Sequence, residues 1–162
     1  MQIKCALALC VWLVAGNAAA CNLTTGTTPF MTSGLSSAGE DAGLKPPELE
    51  LVEVTRGVDG RASCDASGLL TLSVAWPRGT DYKLRDLGFE FRVVGEDSLA
   101  IFPGEPLSGR VDGRRSEFVF LWRDGPPASQ ARIDMVVEVR AVTADNRRGP
   151  PAQVRVVSAP GG

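Results

Sequence analysis

The chain has 162 residues, with 17 lysines and arginines against 19 aspartates and glutamates, and it contains no histidine. Its basic residues occur singly or in pairs, so no stripe of positive charge follows a phosphate backbone, and nucleic acid is not an expected partner. The missing histidine removes the usual general base and the commonest ligand of zinc, copper and iron. We therefore predict no catalytic, cofactor-binding or metal-binding residues.

Residues 1–20 have the pattern of a secretory signal peptide. Lys4 supplies the positive start, an apolar stretch of about a dozen residues follows, and Asn17 and three alanines supply the small-residue cleavage end. The apolar stretch is shorter than the roughly 20 residues that a membrane-spanning helix needs. The sequence thus predicts an exported protein.

Two interpretations compete for Cys21, which with Cys64 is left once the signal is removed. The sequence Ala-Ala-Ala-Cys at 18–21 resembles the lipobox of bacterial lipoproteins, although Ala18 stands where that family usually has leucine. This resemblance implies a lipid anchor on Cys21 and leaves Cys64 unpaired. Alternatively, an ordinary signal peptidase cuts at an Ala-x-Ala site, and Cys21 and Cys64 form a disulfide in an oxidising compartment.

Residues 21–45 are rich in threonine, serine and glycine and have few large apolar side chains, which is typical of a flexible tether. A disulfide between Cys21 and Cys64 would close a loop that contains this segment. Such a disulfide stabilises a fold by about 4 kcal/mol, but only where the folded state orders the loop. Since a flexible tether does not order it, the composition favours the lipid anchor.

Residues 46–160 are predicted to form an antiparallel β-sandwich of about seven strands, because short alternating runs are separated by turn signals and no helical period is present. In the first strand the apolar alternation changes phase, which a bulge or a change of sheet would explain. At most one short edge strand is expected, near residues 100–102. We expect Trp76 to pack between the sheets beside Phe89, Phe91 and Val137. The predicted strands are residues 48–55, 69–76, 87–94, 117–123, 133–142 and 153–157.

Several of these runs resemble a known family. The segments VEVT, LTLSVAWP, LGFEFRVV and VEVRAVTADNRRGPPAQVRVV resemble, in that order, strands A, B, C, F and G of a fibronectin type III domain over about residues 46–158. Trp76 matches the core tryptophan of that family, and Gly149-Pro150 matches the pair that precedes its last strand. Met135, however, stands where the family usually has a tyrosine, and the loop with Cys64 is longer than usual. A generic immunoglobulin-like domain is the alternative.

The polar loop residues give little indication of a catalytic or anion-binding site. Glu96 and Asp97 share a turn, but no spacing brings two facing carboxylates together as a glycosidase requires. The pairs Arg114-Arg115 and Arg147-Arg148 are interpreted as solvated turn charges rather than as an anion-binding site.

These observations favour a non-catalytic cell-envelope or secreted module that is displayed on a flexible tether and serves as a binding or spacer module. Its expected partner is an envelope protein or glycan. The favoured location is that of a periplasmic or outer-membrane lipoprotein, held at the membrane through Cys21; a secreted soluble protein is the alternative. The alternative function is a small carboxylate-dependent hydrolase of envelope polysaccharide.

Overall fold

The computed structural model describes residues 23–33, 39–60, 62 and 64–162, so the predicted signal and Cys21 lie outside the described residues. The described residues form nine β-strands and two single-turn 3-10 helices, Leu84–Asp86 and Pro127–Ser129. The strands are β1 (Thr28–Pro29), β2 (Glu48–Thr55), β3 (Ser67–Ala75), β4 (Gly88–Val93), β5 (Leu107–Ser108), β6 (Arg110–Asp112), β7 (Arg115–Arg123), β8 (Ile133–Val142) and β9 (Ala152–Ser158).

The strands form two antiparallel sheets, one with the order β1-β5-β4-β8-β9 and the other with the order β2-β3-β7-β6. The predicted antiparallel β-sandwich is therefore confirmed.

Strand β8 spans the residues that its alternation predicts. Of the two explanations for the phase change in β2, the structure has the bulge, a register shift between Leu51 and Glu53. The prediction of a short strand near residues 100–102 is wrong. Ala100 has a φ of 47°, in the left-handed region, which a strand does not accommodate. Ile101 is buried in the resulting loop and Phe102 packs against the ring of Phe91, so the segment covers the side of the core.

The core lies between the sheets and is rich in aromatic side chains. Trp76, Phe89, Phe91 and Val137 are all buried in it. The rings of Trp76 and Phe89 meet edge to face with centroids 6.2 Å apart, and Phe89 meets Phe118 in the same way at 5.7 Å. Such pairs add to the stabilisation that burial of their area provides.

Parts of the predicted tether belong to the sandwich, and for them the prediction of a flexible tether is wrong. Strand β1 pairs with β5, and a Cβ built on Gly88 would lie 2.4 Å from the ring of Phe30, so this ring rests directly on β4. Leu44 is only 3% exposed and sits in the same way against Gly149. Few apolar side chains suffice to hold the segment because two glycines leave room for them.

A buried ion pair lies at the end of the sandwich formed by the β2–β3 and β7–β8 loops. Arg56 donates to both carboxylate oxygens of Asp124, at 2.8 and 2.9 Å, and the two side chains are 1% and 3% exposed. Arg56 also donates to the carbonyls of Ala131 and Ala159, at 2.9 and 3.1 Å. Two loops and the C-terminal segment are thereby joined at one point.

Candidate functional site

The opposite end of the sandwich, called the loop end here, consists of the β3–β4 loop (residues 76–87), the β6–β7 turn (residues 113–114) and the β8–β9 loop (residues 143–151). These segments lie together because Ala75 pairs with Arg115 and Gly88 pairs with Val142. In β-sandwiches the loops gather at the two ends, where they are free to vary and to bind.

Trp76 joins the core to the loop end. Its indole N–H donates to the hydroxyl of Thr80 at 2.8 Å and to the carbonyl of Tyr82 at 3.0 Å, which fixes the course of the β3–β4 loop. The guanidinium of Arg114 donates to the Trp76 carbonyl, with Nε at 2.9 Å, and so attaches the β6–β7 turn to the same residue. Trp76 thus positions both segments, the β3–β4 loop through its indole and the β6–β7 turn through its backbone carbonyl.

The ring of Tyr82 is held by Asp41, which comes from the segment predicted to be a tether. The Tyr82 hydroxyl donates to Asp41 at 2.6 Å, and Arg147 contacts the same carboxylate oxygen at 2.9 Å. The hydrogen bond from Tyr82 lowers the pKa of Asp41, and the same bond raises the pKa of Tyr82. Asp41 therefore remains charged and Tyr82 remains a neutral phenol at physiological pH, so the ring stays fixed.

A groove of about 540 Å³ lies between the β3–β4 loop and the β6–β7 turn. Among the described residues, no carboxylate lines this cationic groove. Its basic lining residues are exposed, and its other lining residues include Tyr82 and the apolar Pro77, Leu84 and Val111. The basic residues are Arg78, Lys83, Arg85 and Arg114.

These cations differ from most others in the part of the chain that the structure describes. On the outer face of β4 and β8, Arg92 and Arg140 both contact Glu138, at 2.6 and 3.1 Å. In contrast, no ion pair with a described carboxylate is formed by Arg78, Lys83 or Arg114, and Arg85 has only a 3.9 Å contact with Asp86. The groove therefore carries uncompensated positive charge.

The two predicted cysteines have different outcomes. Cys21 lies outside the described residues. Cys64 is disulfide-bonded, so the unpaired Cys64 expected with the lipid anchor is a wrong prediction. Its partner lies outside the described residues too, because Cys64 is the single cysteine among them. The lipid anchor and the Cys21–Cys64 disulfide both stay predictions.

The basic pairs singled out in the sequence are mostly held by acids. Arg115 pairs with Glu50 at 2.8 Å, and Arg148 donates to Glu90 from Nε at 2.9 Å. Arg147 contacts Asp145 at 2.6 Å in addition to Asp41. Their interpretation as solvated turn charges is therefore wrong for Arg147 and Arg148, which are partly buried and fix the β8–β9 loop.

The acidic turn contributes locally, since Asp97 accepts a hydrogen bond from the Ala100 N–H at 2.9 Å and Glu96 is exposed. The described residues contain no cluster of three or more cysteine, aspartate or glutamate side chains placed to hold a metal ion. Among those same residues, no helix has the length and apolar character needed to cross a membrane.

The cationic groove was not predicted from the sequence. The signal present in the β3–β4 loop is the spacing of Arg78, Lys83 and Arg85, but Asp81 and Asp86 alternate with them and nearly balance their charge. The sequence does not show that the cations line the groove while Asp81 and Asp86 are not among its lining residues.

No protein-family model, curated protein or solved structure matches the chain. Its fold and the geometry of the loop end are the grounds for a function.

Proposed function

We propose that the protein is an exported, non-catalytic binding module of the immunoglobulin-like or fibronectin type III-like kind, and that its loop end is the binding surface. The observation that carries this proposal is the cationic groove, where uncompensated cations surround an open hollow on a rigid sandwich. Elsewhere most described arginines are paired with acids. Uncompensated charge on fixed loops attracts a ligand of opposite charge.

The disulfide at Cys64 supports export, because disulfides persist in oxidising compartments and are rare in the cytosol. Cys5 and Cys10 belong to the predicted signal, so we propose Cys21 as the partner of Cys64 in the exported protein. A cysteine sulfur that takes part in a disulfide cannot also carry the lipid. The lipid anchor on Cys21 is therefore the competing proposal, and membrane attachment depends on which of the two is correct.

The alternative function, a carboxylate-dependent hydrolase of envelope polysaccharide, needs two facing carboxylates in a cleft. The cationic groove gives it no support, because its described lining has no carboxylate. In another hollow, lined in part by Glu50, Asp112 and Glu117, Glu50 is already paired with Arg115.

The proposal is tested by retention of the exported protein on immobilised envelope material. We compare the wild type with the double variant Arg78→Gln, Lys83→Gln. The matched control is the double variant Arg110→Gln, Arg123→Gln, since these two exposed arginines are also without an ion pair to a described acid but do not line the groove. We expect the groove variant to lose retention and the control to keep it. Equal retention of all three proteins would contradict the proposal.

A further inference from the structure

We infer that the cationic groove binds an anionic polysaccharide, one that carries carboxylate or sulfate groups at intervals along its chain. This inference rests on the proposed function and names the ligand class for the same surface.

The placement of the cations indicates several anionic groups rather than one. Arg78 precedes the 3-10 helix Leu84–Asp86, Arg85 lies within it, and Arg114 comes from the β6–β7 turn. All three are exposed and they surround an open hollow instead of converging on a buried point. A site for a single phosphate would bring bidentate arginines or several backbone N–H groups onto one position. Dispersed cations instead complement charges that are spaced along a chain.

The uncharged part of the groove suits the faces of sugar rings. Tyr82 is half-buried, and its ring is held in place by the hydrogen bond to Asp41. Val111 is 42% exposed on the other side, and Pro77 adds a further apolar surface. Ligand pockets typically combine such apolar surfaces with a few polar groups that fix orientation, and their volumes range from about 300 to 1,000 Å³. The groove lies within this range.

An acidic peptide is a poorer fit to the same surface. A peptide that binds by strand addition needs a free strand edge for its backbone hydrogen bonds. The edge beside the groove is β6, which has only three residues and so offers few backbone hydrogen bonds. The other wall is the β3–β4 loop, which is not a strand. The groove therefore offers charge and apolar contact but little backbone pairing.

The test uses the purified exported protein and defined polymers: polygalacturonate, dextran sulfate, neutral dextran and polyglutamate. Binding is measured by affinity electrophoresis and by calorimetry at low and at physiological salt. We expect binding to polygalacturonate and dextran sulfate and none to neutral dextran, with affinity falling as salt rises because exposed charges are screened. We expect the Arg78→Gln, Lys83→Gln variant to bind about tenfold more weakly, and the Arg110→Gln, Arg123→Gln control, with the same net charge, to bind as the wild type does.

A second readout needs no variant. Bound polygalacturonate should protect the amine of Lys83 from acetylation in the wild-type protein, whereas neutral dextran should not. Thermal melts of both double variants check that each is folded, which we expect because all four side chains are exposed.

The outcomes separate this inference from the proposed function. If polyglutamate binds and the two anionic polysaccharides do not, the ligand is an acidic peptide and the inference is overturned. If no polymer binds while the groove variant still loses retention on envelope material, the inference fails and the proposed function stands. If the groove variant and the control behave alike in both experiments, both proposals fail.

Discussion

Replacement of Asp124 by asparagine should test whether the buried ion pair holds the fold together. The Asp124 carboxylate contacts Arg56 through both oxygens, and it also accepts from the Gly57 N–H at 2.8 Å and the Trp122 indole N–H at 3.2 Å. Asparagine keeps the shape but removes the charge. Arg56, with a side chain only 1% exposed, is then left as a buried cation without a counter-charge.

Loss of one partner of a buried ion pair destabilises a fold by about 3 to 5 kcal/mol. For a domain of this size, that corresponds to a fall in melting temperature of roughly 10 °C or more. The matched control is Asp134→Asn, because Asp134 forms the same two-oxygen pair with Arg155, at 2.9 and 2.9 Å, but with side chains 39% and 66% exposed. Water and salt screen that pair, so Asp134→Asn should hardly change the melting temperature of the protein. Equal shifts for the two variants in thermal and denaturant melts would refute the reasoning.

The same variant should change the response to acid. Burial raises the pKa of Asp124, but the hydrogen bonds from Arg56, Gly57 and Trp122 together outweigh it, and the folded-state pKa lies below the ordinary 3.8. The unfolded chain therefore takes up the proton first as pH falls. The associated stability is fully present above about pH 5 and is lost as pH falls through the folded-state pKa. The wild type should lose more stability than Asp124→Asn over this window, and parallel profiles would show that Asp124 has no such role.

Three further predictions concern other parts of the chain. Trp76→Ala should destabilise the fold by about 3 to 5 kcal/mol in a denaturant melt, because a buried ring and its packing are lost; a change below about 1 kcal/mol would place this side chain outside the core. Leu44→Ala should lower the free energy of unfolding by about 2 to 5 kcal/mol, since Leu44 is buried against Gly149. An unchanged melt would instead support the prediction that this segment is a flexible tether. With the Cys21–Cys64 disulfide, Cys21→Ser should make the Cys64 thiol reactive to alkylation without prior reduction, as read by mass spectrometry; incorporation of fatty acid at Cys21 in the wild type would instead support the anchor.

The sandwich could be predicted because each β-strand has a local pattern of alternating apolar and polar residues in the sequence. In β8, Val137, Val139 and Ala141 alternate with Glu138 and Arg140, and the first group is fully buried. Period-two alternation needs no knowledge of distant residues. Even here the outer face differs from expectation. Glu138 points away from the core, yet only 5% of it is exposed, because side chains on neighbouring strands cover it.

The docking of the N-terminal segment could not be predicted in the same way. Phe30 and Leu44 belong to a segment that is rich in threonine, serine and glycine and has few large apolar residues, a composition that by itself indicates a flexible segment. Their binding depends on Gly88 and Gly149, which leave room on distant parts of the sandwich. Asp41 likewise acquires its partners, Tyr82 and Arg147, only after the fold is complete. Long-range complementarity of this kind has no local pattern.

The Arg56 site and the cationic groove handle charge in opposite ways, and this difference separates stability from binding. At one end, Arg56 is fully surrounded by acceptors from Asp124 and backbone carbonyls, so its charge has no remaining capacity for a ligand. At the loop end, Arg78 and Lys83 have neither burial nor a described acid, so they add little to the folding free energy. Substitutions at Asp124 should therefore change the melting temperature, whereas substitutions of the two groove cations should change binding and leave the melt as it was. Because Asp41, Arg147 and Arg148, which stabilise the loop end, are not among the lining residues, the groove itself is open to vary with the ligand.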